Sequence, residues 1–151
     1  LSPSTITLLL MASNRDINYA LREIRLKTRS RMIAEVSRHK VDFSPLEHVA
    51  MSNIRELGGA SQQMLVEAMQ KDKTQVSRII ARLHRQDLII KTPDPFDKRS
   101  VNLTLSDNGE TLLNSLDKVE SEMVENMLQG FDATEVQTLC DLLSRLNNNL
   151  K

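Results

Sequence analysis

The stretch DKTQVSRIIARLHRQDLIIKTPDPFDKRSVNLTLSDNG, residues 72–109, decides the fold. Asp72 stands where a helix N-cap belongs, with Gln75 three residues on as its reciprocal capping partner. Val76, Ile79, Ile80 and Leu83 follow at the i, i+3, i+4, i+7 spacing that gathers apolar side chains on one helical face. Lys73, Thr74, Gln75, Ser77, Arg78, Arg82 and Arg85 are left to point outward. Two short β-rich runs come next, Leu88 to Thr92 and Val101 to Leu105, separated by the eight residues Pro93 to Ser100. Such a pattern is a hairpin with a long charged tip. Ser106 then caps a further helix.

Upstream, Ser61 caps a short helix carrying Leu65, Ala68 and Met69, and Gly58-Gly59 supplies a left-handed stop to the helix before it. That earlier helix begins at Ser44-Pro45-Leu46-Glu47, a capping box with proline at the first helical position, and runs to Leu57. Residues 17–36 place Ile17, Leu21, Ile24, Thr28, Met32 and Val36 on one stripe of a long amphipathic helix. Downstream, a fifth helix carries Leu112, Leu116, Val119, Met123 and Met127 as far as Gly130. Asp132 and Glu135 open a sixth with Val136, Leu139, Leu143, Leu146 and Leu150. The expected fold is mainly α (α+β): six helices, with a winged helix-turn-helix lobe at residues 41–111 and a helical dimerisation region at residues 1–40 and 112–151. A lobe of that size does not cover the stripes of helices one, five and six together, so a homodimer through the chain ends is expected.

A length of 151 residues suits one domain with at most one element standing apart. Apolar residues at 40% and charged residues at 26%, with four Gly and four Pro, describe a chain that folds. Aromatics at 3% speak against a protein that stacks single-stranded bases on π-faces. The single cysteine, Cys140, rules out an internal disulfide and a cysteine-based zinc cluster, and is expected to be a small buried hydrophobe in a reducing cytoplasm. The longest apolar run, Leu8-Leu9-Leu10-Met11-Ala12, is too short for a membrane span and lacks the basic start of a signal peptide. The first residue is Leu1, and the original N-terminus is expected upstream.

Net charge is zero, but its distribution is uneven: +5 over residues 1–40, −3 over 41–70, +4 over 71–100 and −6 over 101–151. A neutral chain with a basic stretch in its middle still presents a positive face to a polyanion, because the local field decides what approaches. Two helices joined tightly, the second offering small polar and basic residues at its first turn, form a helix-turn-helix reader, and the hairpin makes it winged. The chemistry fits a duplex. A helix enters the major groove, its first turn brings Thr, Gln, Ser and Arg to base edges, and flanking Lys and Arg neutralise phosphates.

The order and spacing of Asp72 to Arg78, Leu83, Leu88-Ile89, Asp94-Pro95, Asp97-Lys98-Arg99 and Leu105-Ser106-Asp107-Asn108-Gly109 resemble the MarR-type winged-helix transcription regulators, most strongly over residues 61–110. The resemblance implies a homodimer whose two winged lobes straddle a pseudo-palindromic operator, with Arg99 entering the minor groove and Asp97 orienting the tip. It marks Ser61, Lys73, Thr74, Gln75, Ser77, Arg78, Arg82, Asp97, Lys98 and Arg99 as candidate DNA-binding residues. It also implies a small phenolic or anionic effector held where the lobe meets the dimerisation helices, for which Arg29, Met32, His48, Met51 and Leu112 are the candidates. Asp87 stands where the family usually has glycine, and aspartate tolerates left-handed geometry better than most residues. Cys140 falls late in the sixth helix, whereas peroxide-sensing members carry a reactive cysteine near the N-terminal end.

No catalytic residue, cofactor or metal is expected, and the protein is not expected to be an enzyme. No Gly-rich phosphate loop or nucleophile with a positioned base stands in the chain, and His39, His48 and His84 lack metal-site spacing. The favoured function is a cytoplasmic, sequence-specific double-stranded-DNA-binding regulator, a homodimeric repressor released by a small ligand. The alternative is a winged-helix protein–protein interaction module without specific DNA binding, and salt-sensitive duplex binding separates the two.

Overall fold

The computed structural model describes residues 2–150, the side chains of residues 8–13 excepted, so the apolar run from Leu8 to Ala12, Met11 included, has its side chains outside the described residues. The order is α1 (Pro3–Arg38), α2 (Pro45–Glu56), α3 (Gln62–Met69), α4 (Lys73–Arg85), β1 (Ile89–Pro93), β2 (Val101–Leu105), α5 (Asp107–Met127) and α6 (Ala133–Asn149). This is the expected mainly α arrangement of six helices and a two-stranded wing. It divides into two compact units, one running to Val119 and the other starting at Glu120.

The first unit is built around the α4 stripe. Val76, Ile79, Ile80 and Leu83 are all buried, and they share one cluster with Ala50, Met51 and Ile54 of α2, Leu65 and Met69 of α3, and Leu88, Ile89 and Leu103 of the hairpin. β1 and β2 pair antiparallel, with Ile89 opposite Leu105 and Pro93 opposite Val101. Ala60 adds a single bridge that the sequence pattern does not announce: its N–H donates to Leu103 at 3.0 Å and its carbonyl accepts from Leu103 at 2.8 Å. This ties the α2–α3 connection to the wing. The end of α1 closes one side, where Met32 and Val36 pack on the core.

Several expectations shift. α1 begins far earlier than residue 17, because Ser2 caps it, accepting the Thr5 N–H at 3.2 Å, and Pro3 sits at its start. Asp72 accepts the Gln75 N–H at 2.8 Å, but the Gln75 amide makes no return bond among the described residues. Ala68 is exposed. Leu112 and Leu116, expected to await a second chain, are buried in the first unit's own core together with Leu113. The tight start of α5 explains this. Asp87 takes the left-handed conformation at φ 56°, as expected, its carbonyl accepts from the Ser106 hydroxyl, and Leu88 accepts the Ser106 N–H at 3.1 Å. These bonds press the first turn of α5 onto the β1 entry.

In the second unit, Gly130 turns the chain at φ 83° and Asp132 caps α6, its carboxylate accepting the Glu135 N–H at 2.8 Å while Glu135 accepts the Asp132 N–H at 3.1 Å. None of the α6 residues is buried. Val136 and Leu139 are half-buried, and Leu142, Leu143, Leu146 and Leu150 are exposed. Cys140 is exposed too, contrary to expectation, because α6 buries none of its residues in the single chain.

Gly109 marks a close approach of two backbone segments in the lobe. A Cβ built there meets the Leu88 carbonyl oxygen at 2.1 Å, so backbone has to move. Gly109→Ala is expected to lower the stability of the folded chain by about 1–3 kcal/mol, the usual cost of overpacking. Urea unfolding checks this against Asn108→Ala, an exposed neighbour expected to be near neutral.

Candidate nucleic-acid interface

The face of α4 opposite its buried stripe carries the side chains expected to read DNA. Lys73, Thr74, Ser77 and Arg78 are exposed and Gln75 is half-buried. Because the four apolar anchors are fixed in the core, the roll of α4 about its axis is fixed, and with it the direction of these five residues.

A cleft of about 360 Å³ opens between the start of α3, the start of α4 and the wing. Ser61, Gln62, Gln63, Lys73, Lys91, Arg99 and Ser100 supply its polar lining. The structure thus brings three of the candidate residues, Ser61, Lys73 and Arg99, to one place from three elements. Gln62 links two walls by donating to the Lys73 carbonyl at 3.5 Å. Ser61 is engaged as the α3 cap, accepting the Met64 N–H at 3.2 Å. Lys91 was not anticipated; its place as the middle residue of β1 in an alternating hairpin, on the face opposite Ile90, is the signal that finds it.

The wing tip is held by its own aspartates. Asp94 accepts the N–H groups of Phe96 and Asp97 at 2.8 and 3.1 Å, and Asp97 accepts that of Arg99 at 2.9 Å. Backbone bonds from Ser100 to Asp97 at 3.0 Å and from Asp94 to Ser100 at 3.1 Å close the loop. Asp97 therefore orients Arg99 through the main chain, with its carboxylate on the Arg99 amide. Lys98 and Arg99 extend into solvent.

Arg82 differs from the rest of its group. Its Nε donates to Glu47 at 3.0 Å, and a terminal nitrogen donates to Asp42 at 2.9 Å. Glu47 is 2% exposed, and its other oxygen accepts the Ser44 N–H at 3.0 Å. One residue thus closes the start of α2 and anchors α4. Gln86 repeats the link, accepting the Asp42 N–H at 2.6 Å and donating to the Asp42 carbonyl at 2.7 Å. The guanidinium of Arg82 is committed to this brace.

The five candidates for an effector pocket do not form one open site. Met51 and Leu112 are fully buried in the core cluster, Met32 packs against it, and Arg29 stands exposed on α1. His48 is half-buried, with its ring 6.0 Å from that of Phe43.

A short helix, a capped second helix with its polar face outward, and a two-stranded wing behind it define a winged helix-turn-helix. Residues 43–101 match the MarR family. The chain is 28% identical over 136 residues to the uncharacterized HTH-type transcriptional regulator YybA of Bacillus subtilis, covering 89% of this chain and 91% of that one. The crystal structure of the MarR family transcription regulator SP03579 superposes with a TM-score of 0.75 at 19% identity, over 96% of this chain and 92% of that one. A cysteine-to-serine mutant of MarR from E. coli, complexed with operator DNA, superposes at 0.66 with 20% identity, over 87% and 93%. The winged-helix lobe thus carries the MarR family match, and the chain is similar in sequence and fold to MarR-type transcriptional regulators.

The brace carries its own test. Arg82→Ala leaves the buried Glu47 carboxylate without its counter-charge and is expected to cost on the order of 2–3 kcal/mol, less than a fully buried pair because Asp42 lies open to water. Thermal unfolding checks it, with Arg82→Lys recovering part of the loss. A neutral Arg82→Ala would assign Arg82 to the surface.

Proposed function

We propose that the protein is a sequence-specific double-stranded-DNA-binding repressor that works as a homodimer and is released by a small ligand. The observation that carries the reading is the meeting of Ser61, Lys73 and Arg99 in one basic cleft beside the exposed first turn of α4. A duplex backbone running through that cleft has its phosphates neutralised by Lys73, Lys91 and Arg99. The first turn of α4 then lies in the major groove, where Thr74, Gln75, Ser77 and Arg78 reach base edges, and the wing lies over the adjacent minor groove. The operator-bound relative has the same fold, which supports this placement.

In this reading Lys73, Lys98 and Arg99 hold the backbone or the groove, Arg78 specifies, Asp97 shapes the tip, and Arg82 contributes by fixing α4 on α2. Residues 41–111 form the reading lobe, and residues 1–40 and 112–151 the dimerisation region, the buried Leu112, Leu113 and Leu116 serving as its root in the lobe. Two uncovered apolar faces support the dimer. Ile17, Leu21 and Ile24 on α1, and Leu142, Leu143 and Leu146 on α6, are each about half exposed in the single chain. A two-fold axis buries both against their mates. Bound across an operator, such a dimer denies the site to the transcription machinery.

Release follows from the geometry of two linked heads. An effector that favours one spacing of the heads lowers affinity for a fixed operator by its differential affinity for the two states. A small phenolic or anionic molecule is the proposed class, with Arg29 as counter-charge and Met32, His48, Met51 and Leu112 around it. The burial of Met51 and Leu112 means that this site opens only as the seam between α2 and α5 loosens.

Duplex affinity tests the central part. If the dimer neutralises about eight phosphates, log K is expected to fall against log salt with a slope of roughly −7. Arg78→Ala is expected to lose about 1–3 kcal/mol and relax sequence preference, whereas Lys73→Ala weakens all duplexes alike. Equal losses for both variants on selected and random duplexes would remove α4 as the reader. For the dimer, Leu146→Arg is expected to give a folded monomer in sedimentation, and a folded dimer would exclude the α6 face from the interface.

A further inference from the structure

Phe96 stands at the tip of the wing with 98% of its surface exposed, more than any other large apolar side chain among the described residues. A phenyl ring is among the largest apolar surfaces a residue can bury, and here none of it is buried within the chain. The backbone that carries it is nonetheless held. Its own N–H donates to Asp94 at 2.8 Å, the next residue's N–H donates to the same oxygen at 3.1 Å, and Pro95 precedes it with a restricted φ. The tip presents the ring.

The charge around it selects the partner. Asp94 and Asp97 direct carboxylate oxygens to the loop's own amides, while Lys98 and Arg99, the next cations along the loop, make no ion pair among the described residues. An apolar tip flanked by unpaired cations matches a minor groove, whose walls are apolar sugar, whose floor is the edges of stacked bases and whose rims are phosphate. An apolar protein pocket would leave the two cations unpaired.

We propose that Phe96 is an apolar wedge that enters the minor groove beside Arg99 and partly unstacks one base step of the bound duplex. The inference rests on the duplex-binding reading above. Minor-groove proteins insert phenylalanine and similar residues between base steps in this way, unstacking and kinking the helix. Pyrimidine–purine steps open with the least cost, so the wedge makes the chain prefer a TA or CA step where each wing lands, without a hydrogen bond to any base. Phe96 supplies an apolar share of affinity that salt does not screen, and Arg99 supplies a share that it does.

The experiment uses the full chain and a duplex that the wild-type chain selects from a random pool, with 2-aminopurine in the step under each wing. Affinity and fluorescence are measured at three salt concentrations for the wild type, Phe96→Ala and Phe96→Leu. Phe96→Ala is expected to bind about tenfold more weakly at every salt concentration with an unchanged salt slope, as for loss of one anchoring aromatic. It also loses the fluorescence rise that unstacking causes in the wild-type complex, while Phe96→Leu retains most of both. Melting temperature stays level, since the ring touches no core. Wild-type affinity in Phe96→Ala, or a wild-type complex without the fluorescence rise, overturns the wedge and leaves the duplex reading intact. Absence of salt-dependent duplex binding by the wild type overturns both. A Phe96→Ala chain that changes its self-association but not its duplex affinity makes the ring a protein contact and also overturns the wedge.

Discussion

The burial of one face of α4 is the constraint on which the rest depends. Val76, Ile79, Ile80 and Leu83 lock into the side chains of α2, α3 and the hairpin. A helix so held cannot roll, and in its proposed reading role it would present the same side chains to every duplex. The Arg82–Glu47–Asp42 brace adds the constraint along the axis. It fastens the far half of α4 to the start of α2 and the end of the α1 connection, so the reading helix and the element that leads to α1 move as one piece. The α1–α2 connection thus meets α4 through an ion pair and the two Gln86 bonds as well as through packing.

The wing is attached to the same body in a different manner. The Ala60–Leu103 bridge joins it to the α2–α3 connection, and the Leu88–Ser106–Gly109 contact clamps its base to α5. The tip is organised only by hydrogen bonds within its own loop. The anchored base and self-contained tip suit the proposed role of reaching a groove at a set distance. Asp97 illustrates the economy of this loop: a carboxylate in a basic tip weakens attraction to phosphate, yet it shapes the turn from which Arg99 emerges.

Local chemistry made most of the fold legible. Ser61, Asp72, Asp132 and the Pro45 start declare helices within four residues of sequence, and the α4 stripe declares its own buried face. What sequence did not disclose was long-range or had a double purpose. The Ala60 bridge is a single residue pair across more than forty positions, with no periodicity to reveal it. Glu47 reads as a capping residue and is one, but its second oxygen binding Arg82 depends on how α2 and α4 cross. For the same reason Arg82 reads as one more outward cation. The candidate interface was legible where it lay within α4 and the tip; Lys91 and Gln62 entered it only because folding brings the starts of α3 and α4 against β1. The proposed effector site was the least legible, since a pocket between elements depends on packing gaps that side-chain identity does not fix.

The central claim is that α4 and the wing of each chain read adjacent major and minor grooves in two symmetric copies. A groove-resolved chemical footprint on a selected operator tests it most directly, with purine N7 methylation interference for the major groove and hydroxyl-radical protection for the backbone facing the minor groove. The account predicts two clusters of N7 interference whose centres are about one helical turn, roughly 10 base pairs, apart, each flanked on its outer side by minor-groove protection. A single unflanked cluster, or backbone protection with no interference at any N7, would contradict it.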